Sequence, residues 1–217
     1  MLTQLTSLTP ETIAQGVQEL ASRDHDLARI VEQFGYPPNW QCEPGFIGLI
    51  EIILGQQVSV ASAKAIFKRL SSIVVPFTPE NLLTYDDLQL QAAGLSRQKI
   101  LYCRGLAQAI TSGKLDLDKL ANEDEATIRT ELKQIKGIGD WTVDNYLLMS
   151  LQRGDVFPKG DLGLIVAYQK LKNLATRPTP NELEKIAETW RPWRAIATRL
   201  LWHYYLSNQT KILNASC

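Results

Sequence analysis

The sequence predicts an all-α protein, on three observations. Apolar residues recur at three- and four-residue steps, as in Ile13, Val17 and Leu20 and again in Leu27, Ile30, Val31 and Phe34, which is the period of one helix face. Strand-like alternation of apolar and polar residues is hard to find. The breakers are spaced for short helices: Thr9-Pro10 opens the first, Gly35-Tyr36-Pro37-Pro38 closes the second, and Glu43-Pro44-Gly45 precedes the third.

Taken in order, the third helix, about 46–54, is apolar on most sides and is expected to be central. Further helices are expected at about 60–71, 79–84, 86–92, 96–112, 117–120, 124–135, 141–151, 161–170, 180–189 and 193–205. Two connections stand out. Lys136-Gly137-Ile138-Gly139 joins two helices with almost no slack, and Val156-Phe157-Pro158-Lys159-Gly160 leads into another helix. There is no internal repeat and no low-complexity tract.

A chain of 217 residues that is 45% hydrophobic and 21% charged can bury a real core, which excludes disorder as its main state. No apolar run approaches the roughly 18 residues of a membrane span, and Met1-Leu2-Thr3-Gln4 lacks the layout of a signal peptide. A soluble intracellular protein is expected. Cys42, Cys103 and Cys217 are too scattered for a disulfide framework or a Cys-x-x-Cys metal clip, and too few for an iron–sulfur cluster. His25 and His203 are isolated, so metal catalysis is not expected. No spacing suggests a Ser/His/Asp or Cys/His nucleophile. Net charge is zero, but the mean hides an asymmetry: residues 1–90 carry a balance of −5 and residues 91–217 a balance of +5. The C-terminal part is the candidate nucleic-acid face.

Both special connections lie in that basic part. Leu132-Lys133-Gln134-Ile135-Lys136-Gly137-Ile138-Gly139-Asp140-Trp141-Thr142 reads as helix, Gly-x-Gly hairpin and helix. With no side chains at Gly137 and Gly139, backbone N–H groups beside a helix N-terminus can face a phosphate. Lys133 and Lys136 add point charge. By itself a Gly-x-Gly most often ends a helix, so the surrounding sequence decides its meaning.

Gly137-Ile138-Gly139-Asp140-Trp141-Thr142, followed after a helix by Asp155-Val156-Phe157-Pro158-Lys159-Gly160-Asp161-Leu162-Gly163, resembles the helix-hairpin-helix DNA glycosylase superfamily. Within it, the match is to the DNA-3-methyladenine glycosylase II type, in the form without the β-rich N-terminal domain. Other blocks agree in order and spacing. They are Pro44-Gly45-Phe46, Ile53-Leu54-Gly55-Gln56-Gln57-Val58-Ser59, Gly94-Leu95-Ser96-Arg97-Gln98-Lys99, and Trp190-Arg191-Pro192-Trp193-Arg194 with Trp202 beyond. The resemblance covers roughly residues 24–205. It implies two lobes with the active site in the cleft between them: a central lobe of about 44–158 holding the hairpin at 132–142, and a second lobe of 1–43 with 159–217.

Cleaving an N-glycosidic bond leaves positive charge on the sugar, so the reaction needs a fixed anion, a pocket for the extruded base and a plug for the stack. The resemblance implies that Asp161 is the anion; on sequence alone it reads equally as a helix N-cap. Asp155 is expected to be structural. Trp141 stands where relatives that also cut the DNA backbone carry a Schiff-base lysine, which implies a monofunctional enzyme. Trp202 matches a second pocket aromatic, and Tyr146, Tyr204 and Tyr205 are further candidates for the pocket or for the core. Asn145 replaces a stacking tyrosine of some relatives. It would either hydrogen-bond a base edge or be satisfied in the core. Gln57 is the implied plug, and Gln56 is expected to brace its turn. Arg97 and Lys99 would face the DNA backbone or form a solvated helix face. In the family the hairpin carbonyls can hold a monovalent cation, here those of Lys133, Ile135 and Ile138. No side-chain metal site and no other cofactor is implied.

The expected function is monofunctional excision of alkylated purines from duplex DNA by a monomer. Two alternatives stay open: a non-catalytic module that binds damaged DNA, and a glycosylase of the same fold for oxidised, deaminated or mismatched bases.

Overall fold

The computed structural model describes residues 8–215; the Met1-Leu2-Thr3-Gln4 start and Cys217 lie outside them. Every regular element among the described residues is a helix, in the order α1 (Pro10–Arg23), α2 (His25–Phe34), α3 (Phe46–Gly55), α4 (Val60–Ile73), α5 (Pro79–Thr84), α6 (Asp87–Ala92), α7 (Arg97–Thr111), α8 (Leu117–Leu120), α9 (Glu125–Leu132), α10 (Asp140–Asn145), α11 (Leu162–Leu171), α12 (Pro180–Ala187) and α13 (Arg194–Ala215). The chain divides into two compact units: Cys42–Leu151 is one, and the residues up to Gln41 with those from Gln152 onward are the other.

In the Cys42–Leu151 unit, α3 is the central element. Leu49, Ile50, Ile53 and Leu54 are fully buried, and the helix packs on α4, α7 and α10. Side chains just outside the helices start them: the oxygens of Ser59, Thr78, Asp86, Ser96, Asp116 and Asp124 each accept an N–H from the first turn that follows. Each such cap is worth about 1 kcal/mol. Two ends differ from the sequence expectation. α9 stops at Leu132 rather than near 135, because Ile135 turns its N–H to the Leu132 carbonyl at 3.1 Å in a tight turn. After α10 the helix widens into a π-helical stretch, Tyr146–Ser150, a form that uses one extra residue per turn and is rare outside single insertions.

In the other unit, α1, α2 and α11 surround α13. Val17, Leu20, Leu27, Ile30, Ile196 and Leu200 are buried to within 1% of complete. The segment following Leu151 joins this unit rather than the first: Leu8 donates to the Gln152 carbonyl at 2.8 Å and Ala195 to that of Gly154 at 3.1 Å, and Arg194 holds Asp155 at 2.8 Å. Asp155 also pairs with Arg191, a structural clamp. Arg199 is fully buried; its guanidinium donates to Asn39 Oδ1, the Trp40 carbonyl and Gln152 Oε1. A buried charge is tolerated only with such partners.

Removing the side-chain mass of Ile53 leaves a cavity in the middle of the first unit. In urea unfolding followed by circular dichroism, Ile53→Ala is expected to lose about 2–5 kcal/mol. Val58→Ala, at a position 41% exposed, is expected to stay within about 0.5 kcal/mol of wild type.

Candidate nucleic-acid and base-excision site

The hairpin between α9 and α10 is built around two glycines, Gly137 and Gly139, on either side of an inward-pointing Ile138. Ile138 is 4% exposed and anchors the turn inward, while its N–H closes on the Ile135 carbonyl at 3.0 Å. Gly137 has φ +91°, and a Cβ there would stand 2.1 Å from the Tyr102 ring. Any other residue would be strained in backbone and blocked by α7. Gly139 precedes α10 with open space where a Cβ would be. No side chain caps this helix, so its first N–H groups keep the character of an anion site. Lys133 is ion-paired with Asp140 across the turn at 2.7 Å, and Lys136 is exposed. Behind the turn, Arg129 of α9 pairs with the buried Asp144 of α10.

Gln56 ties this hairpin to the end of α3. Both of its amide hydrogens are used, one on the Gly137 carbonyl and one on Thr142 Oγ1, each at 2.9 Å. It braces across to the hairpin, not merely within its own turn. The next residue, Gln57, is exposed and sits at φ +57°, a left-handed conformation that costs a non-glycine residue about 1 kcal/mol. A groove of about 350 Å³ runs beside it, lined by Gln57, Ser96, Gln98, Lys99, Tyr102 and Gly137.

Several expected site residues have other work. Lys99 does not face outward: it is 9% exposed, and its Nζ donates to the Leu54 carbonyl at the end of α3. Burial holds its pKa below the usual lysine range. The neighbouring Cys103 thiol is pushed up to about 12 by burial, against the pull of Lys99. Tyr146 is 1% exposed, and its hydroxyl accepts the Gly45 N–H at 3.0 Å. It is a core strut for the start of α3, and burial pushes its phenol up. Asn145 is 3% exposed and donates to the Trp141 carbonyl at 2.7 Å, a bond within its own helix. Trp141 on α10 is half-buried, and Arg97 is exposed.

In the other unit, Asp161 is the N-cap of α11 and accepts the Leu164 N–H at 3.0 Å. The Trp202 indole N–H reaches the same oxygen, Oδ1, at 3.2 Å. Sequence reasoning placed Asp161 and Trp202 separately and missed this bond. It also missed Trp40, whose ring meets Trp202 edge-on with centroids 6.3 Å apart; an aromatic two residues past Pro37-Pro38 was the only signal. Tyr204 and Tyr205 are half-buried, and Tyr204 stands edge-on to Phe34. His203 bonds the Phe34 carbonyl. Among the described residues no group of three or more His, Cys, Asp or Glu could hold a metal ion, and no helix is long and apolar enough to cross a membrane.

Residues 50–192 match the model of the HhH-GPD superfamily of base excision DNA repair proteins. The chain belongs to this family. The match spans the Gln56 and Gln57 turn, the hairpin, Asp155 and Asp161, and stops short of Trp202. Among similar proteins, DNA-3-methyladenine glycosylase 1 of Schizosaccharomyces pombe is 35% identical over 209 residues, covering 91% of this chain and 88% of its own. A structure of 3-methyladenine DNA glycosylase from the same yeast, in complex with abasic DNA, superposes with a TM-score of 0.82 at 33% identity, covering 87% of this chain and 95% of its own. DNA-3-methyladenine glycosidase of Bacillus halodurans gives a TM-score of 0.69 at 30% identity, covering 92% and 91%.

For this HhH-GPD protein, Gln56 is the internal brace of the hairpin. Gln56→Ala strips donors from a carbonyl and a buried hydroxyl, a loss of about 1–3 kcal/mol. Amide hydrogen exchange at Ile138 and Val143, whose N–H groups bond the Ile135 and Gly139 carbonyls, is therefore expected to speed by about 5- to 100-fold, with the α11 amides unchanged.

Proposed function

We propose that the protein is a monofunctional DNA glycosylase that hydrolyses the N-glycosidic bond of alkylated purines, of the 3-methyladenine and 7-methylguanine kind, in duplex DNA. The observation that carries this reading is the Asp161 carboxylate, fixed by the Leu164 N–H and the Trp202 indole, in a chain 35% identical to a protein named DNA-3-methyladenine glycosylase.

An alkylated purine is already cationic, so the C1′–N bond breaks with its electron pair going to the base and little acid assistance. The deoxyribose is left as an oxocarbenium-like cation. Asp161 supplies the fixed negative charge that this cation needs, and it orients the water whose oxygen bonds to C1′. The water's proton leaves through the carboxylate to solvent. Trp141 offers an indole face to the cationic base, an attraction of about 0.5–2 kcal/mol. It has no amine, so it cannot form the Schiff base that begins strand cleavage. Gln57, exposed on its strained turn, fills the stack vacated by the flipped nucleotide and hydrogen-bonds its former partner. The hairpin N–H groups and Lys136 hold phosphates. A monovalent cation would be held by the carbonyls of Lys133, Ile135 and Ile138. These are neutral oxygens suited to a hard ion, and the Ile135 carbonyl keeps a lone pair beyond its bond to Ile138.

Asp161→Asn tests this cleanly, because asparagine caps a helix as well as aspartate and can accept the same two hydrogen bonds. With methylated duplex DNA, wild type is expected to release free base, with strand breaks only after alkali. The variant is expected to lose about 100-fold or more in rate while its affinity for the duplex stays within about twofold. Breaks before alkali would overturn the monofunctional assignment. Full activity in the variant would remove Asp161 from the mechanism, and tight binding with no release by wild type would favour a binding module.

A further inference from the structure

We infer that Trp202 is a positioning residue for Asp161, acting through its indole N–H rather than only through its ring face; this rests on the reading of Asp161 as the carboxylate that meets the sugar cation. Two donors converge on one oxygen. The Leu164 N–H, 3.0 Å from Oδ1, is the ordinary bond of an N-cap and comes from the helix that Asp161 itself starts. The Trp202 Nε1–H, 3.2 Å from the same atom, comes from α13, 41 residues further along the chain. One local donor fixes the position of an oxygen. A second, from an element packed against the first, fixes the plane of the carboxylate, and with it the direction of Oδ2.

The surroundings are shaped for that orientation. Gly163 is the residue at which a side chain would intrude: a Cβ there would stand 3.1 Å from Asp161 Oδ1 and 3.7 Å from both the Trp202 ring and the Tyr205 ring. The first distance is tighter than an ordinary contact, so the carboxylate would have to give way, while the ring distances are ordinary contacts. Trp202 is held in turn by the edge of Trp40, whose carbonyl accepts from the buried Arg199. Indole nitrogen only donates, so the bond can form only toward an accepting oxygen, and it cannot reverse. A carboxylate placed before the cation forms needs no reorganisation when it does, which is the condition under which fixed charge accelerates a reaction most.

Replacing Trp202 alone by 3-benzothienylalanine, in the full chain, exchanges the N–H for sulfur and keeps the ring's size and face. Single-turnover release of 7-methylguanine from duplex DNA is expected to slow by roughly 10- to 100-fold, with the Kd for a duplex carrying a stable abasic analogue within about twofold and the thermal midpoint within a few degrees. Gly163→Ala is expected to slow release in the same way. With Trp202 left native, its Nε1–H resonance is expected to shift between wild type and Asp161→Asn. An unchanged rate in the isostere overturns the proposal, and so does a resonance indifferent to Asp161→Asn. A rate loss matched by an equal loss of affinity also overturns it, since the ring would then be acting in binding. If wild type releases no base at all, the glycosylase reading fails, and the resonance still reports whether the bond exists.

Discussion

A carboxylate that is to meet a short-lived cation, as proposed for Asp161, has to be in place before the cation exists, and two hydrogen bonds hold the Asp161 side chain in the way that constraint requires. The α11 N-terminus supplies one N–H and α13 supplies another, both on Oδ1. The chain just before it is tied down independently: Asp155 is clamped by Arg191 and Arg194, and the Asp161 N–H closes on the Pro158 carbonyl at 3.1 Å. The loop that delivers the carboxylate is therefore rigid at both ends. Charge pre-oriented in this way does more for a transition state than the same charge on a mobile side chain.

The other unit solves a different problem, which is to present backbone rather than side chains. Gly137 lies against the Tyr102 ring so closely that no Cβ fits. Ile138 points inward and Gly139 leaves the start of α10 open. A turn stripped of side chains would be loose if nothing else held it. Gln56 supplies the missing tie with both amide hydrogens, and the Arg129–Asp144 pair locks the two helices behind it. Lys99 performs the matching service for α3, its ammonium placed on a carbonyl at the helix C-terminus where a cation is favoured. As a result Gln56 and Gln57, adjacent in sequence, divide the work: one is tied to the hairpin and the other is exposed on a left-handed turn.

Much of this was legible in the sequence, for reasons that differ from one residue to the next. Helix order followed from apolar spacing and breakers, which are local. The same spacing overran the end of α9, because Ile128, Leu132 and Ile135 continue the helical period although the chain turns after Leu132. The ordered motifs singled out the hairpin, Gln57 and Asp161, and the expectation that Gln56 is a brace agrees with its two bonds to the hairpin and α10. Tyr146 stayed open between pocket and core, and Lys99 was misplaced on the outside, because their partners, the Gly45 N–H and the Leu54 carbonyl, are not written in the local sequence. Those partners lie 101 and 45 residues away, and no periodicity encodes such a distance. The Trp202 to Asp161 bond was hidden for the same reason, although both residues were singled out individually.

The central claim is that Asp161 stabilises positive charge on the sugar. It is tested most directly by comparing affinities for two duplexes that differ only at one abasic nucleotide, a cationic pyrrolidine in one and a neutral tetrahydrofuran in the other. Wild type is predicted to favour the cationic duplex by about 10- to 100-fold, as expected for a mimic of the transition state, and Asp161→Asn to lose most of that preference. An equal preference in the two proteins would place the stabilising charge elsewhere and contradict the account.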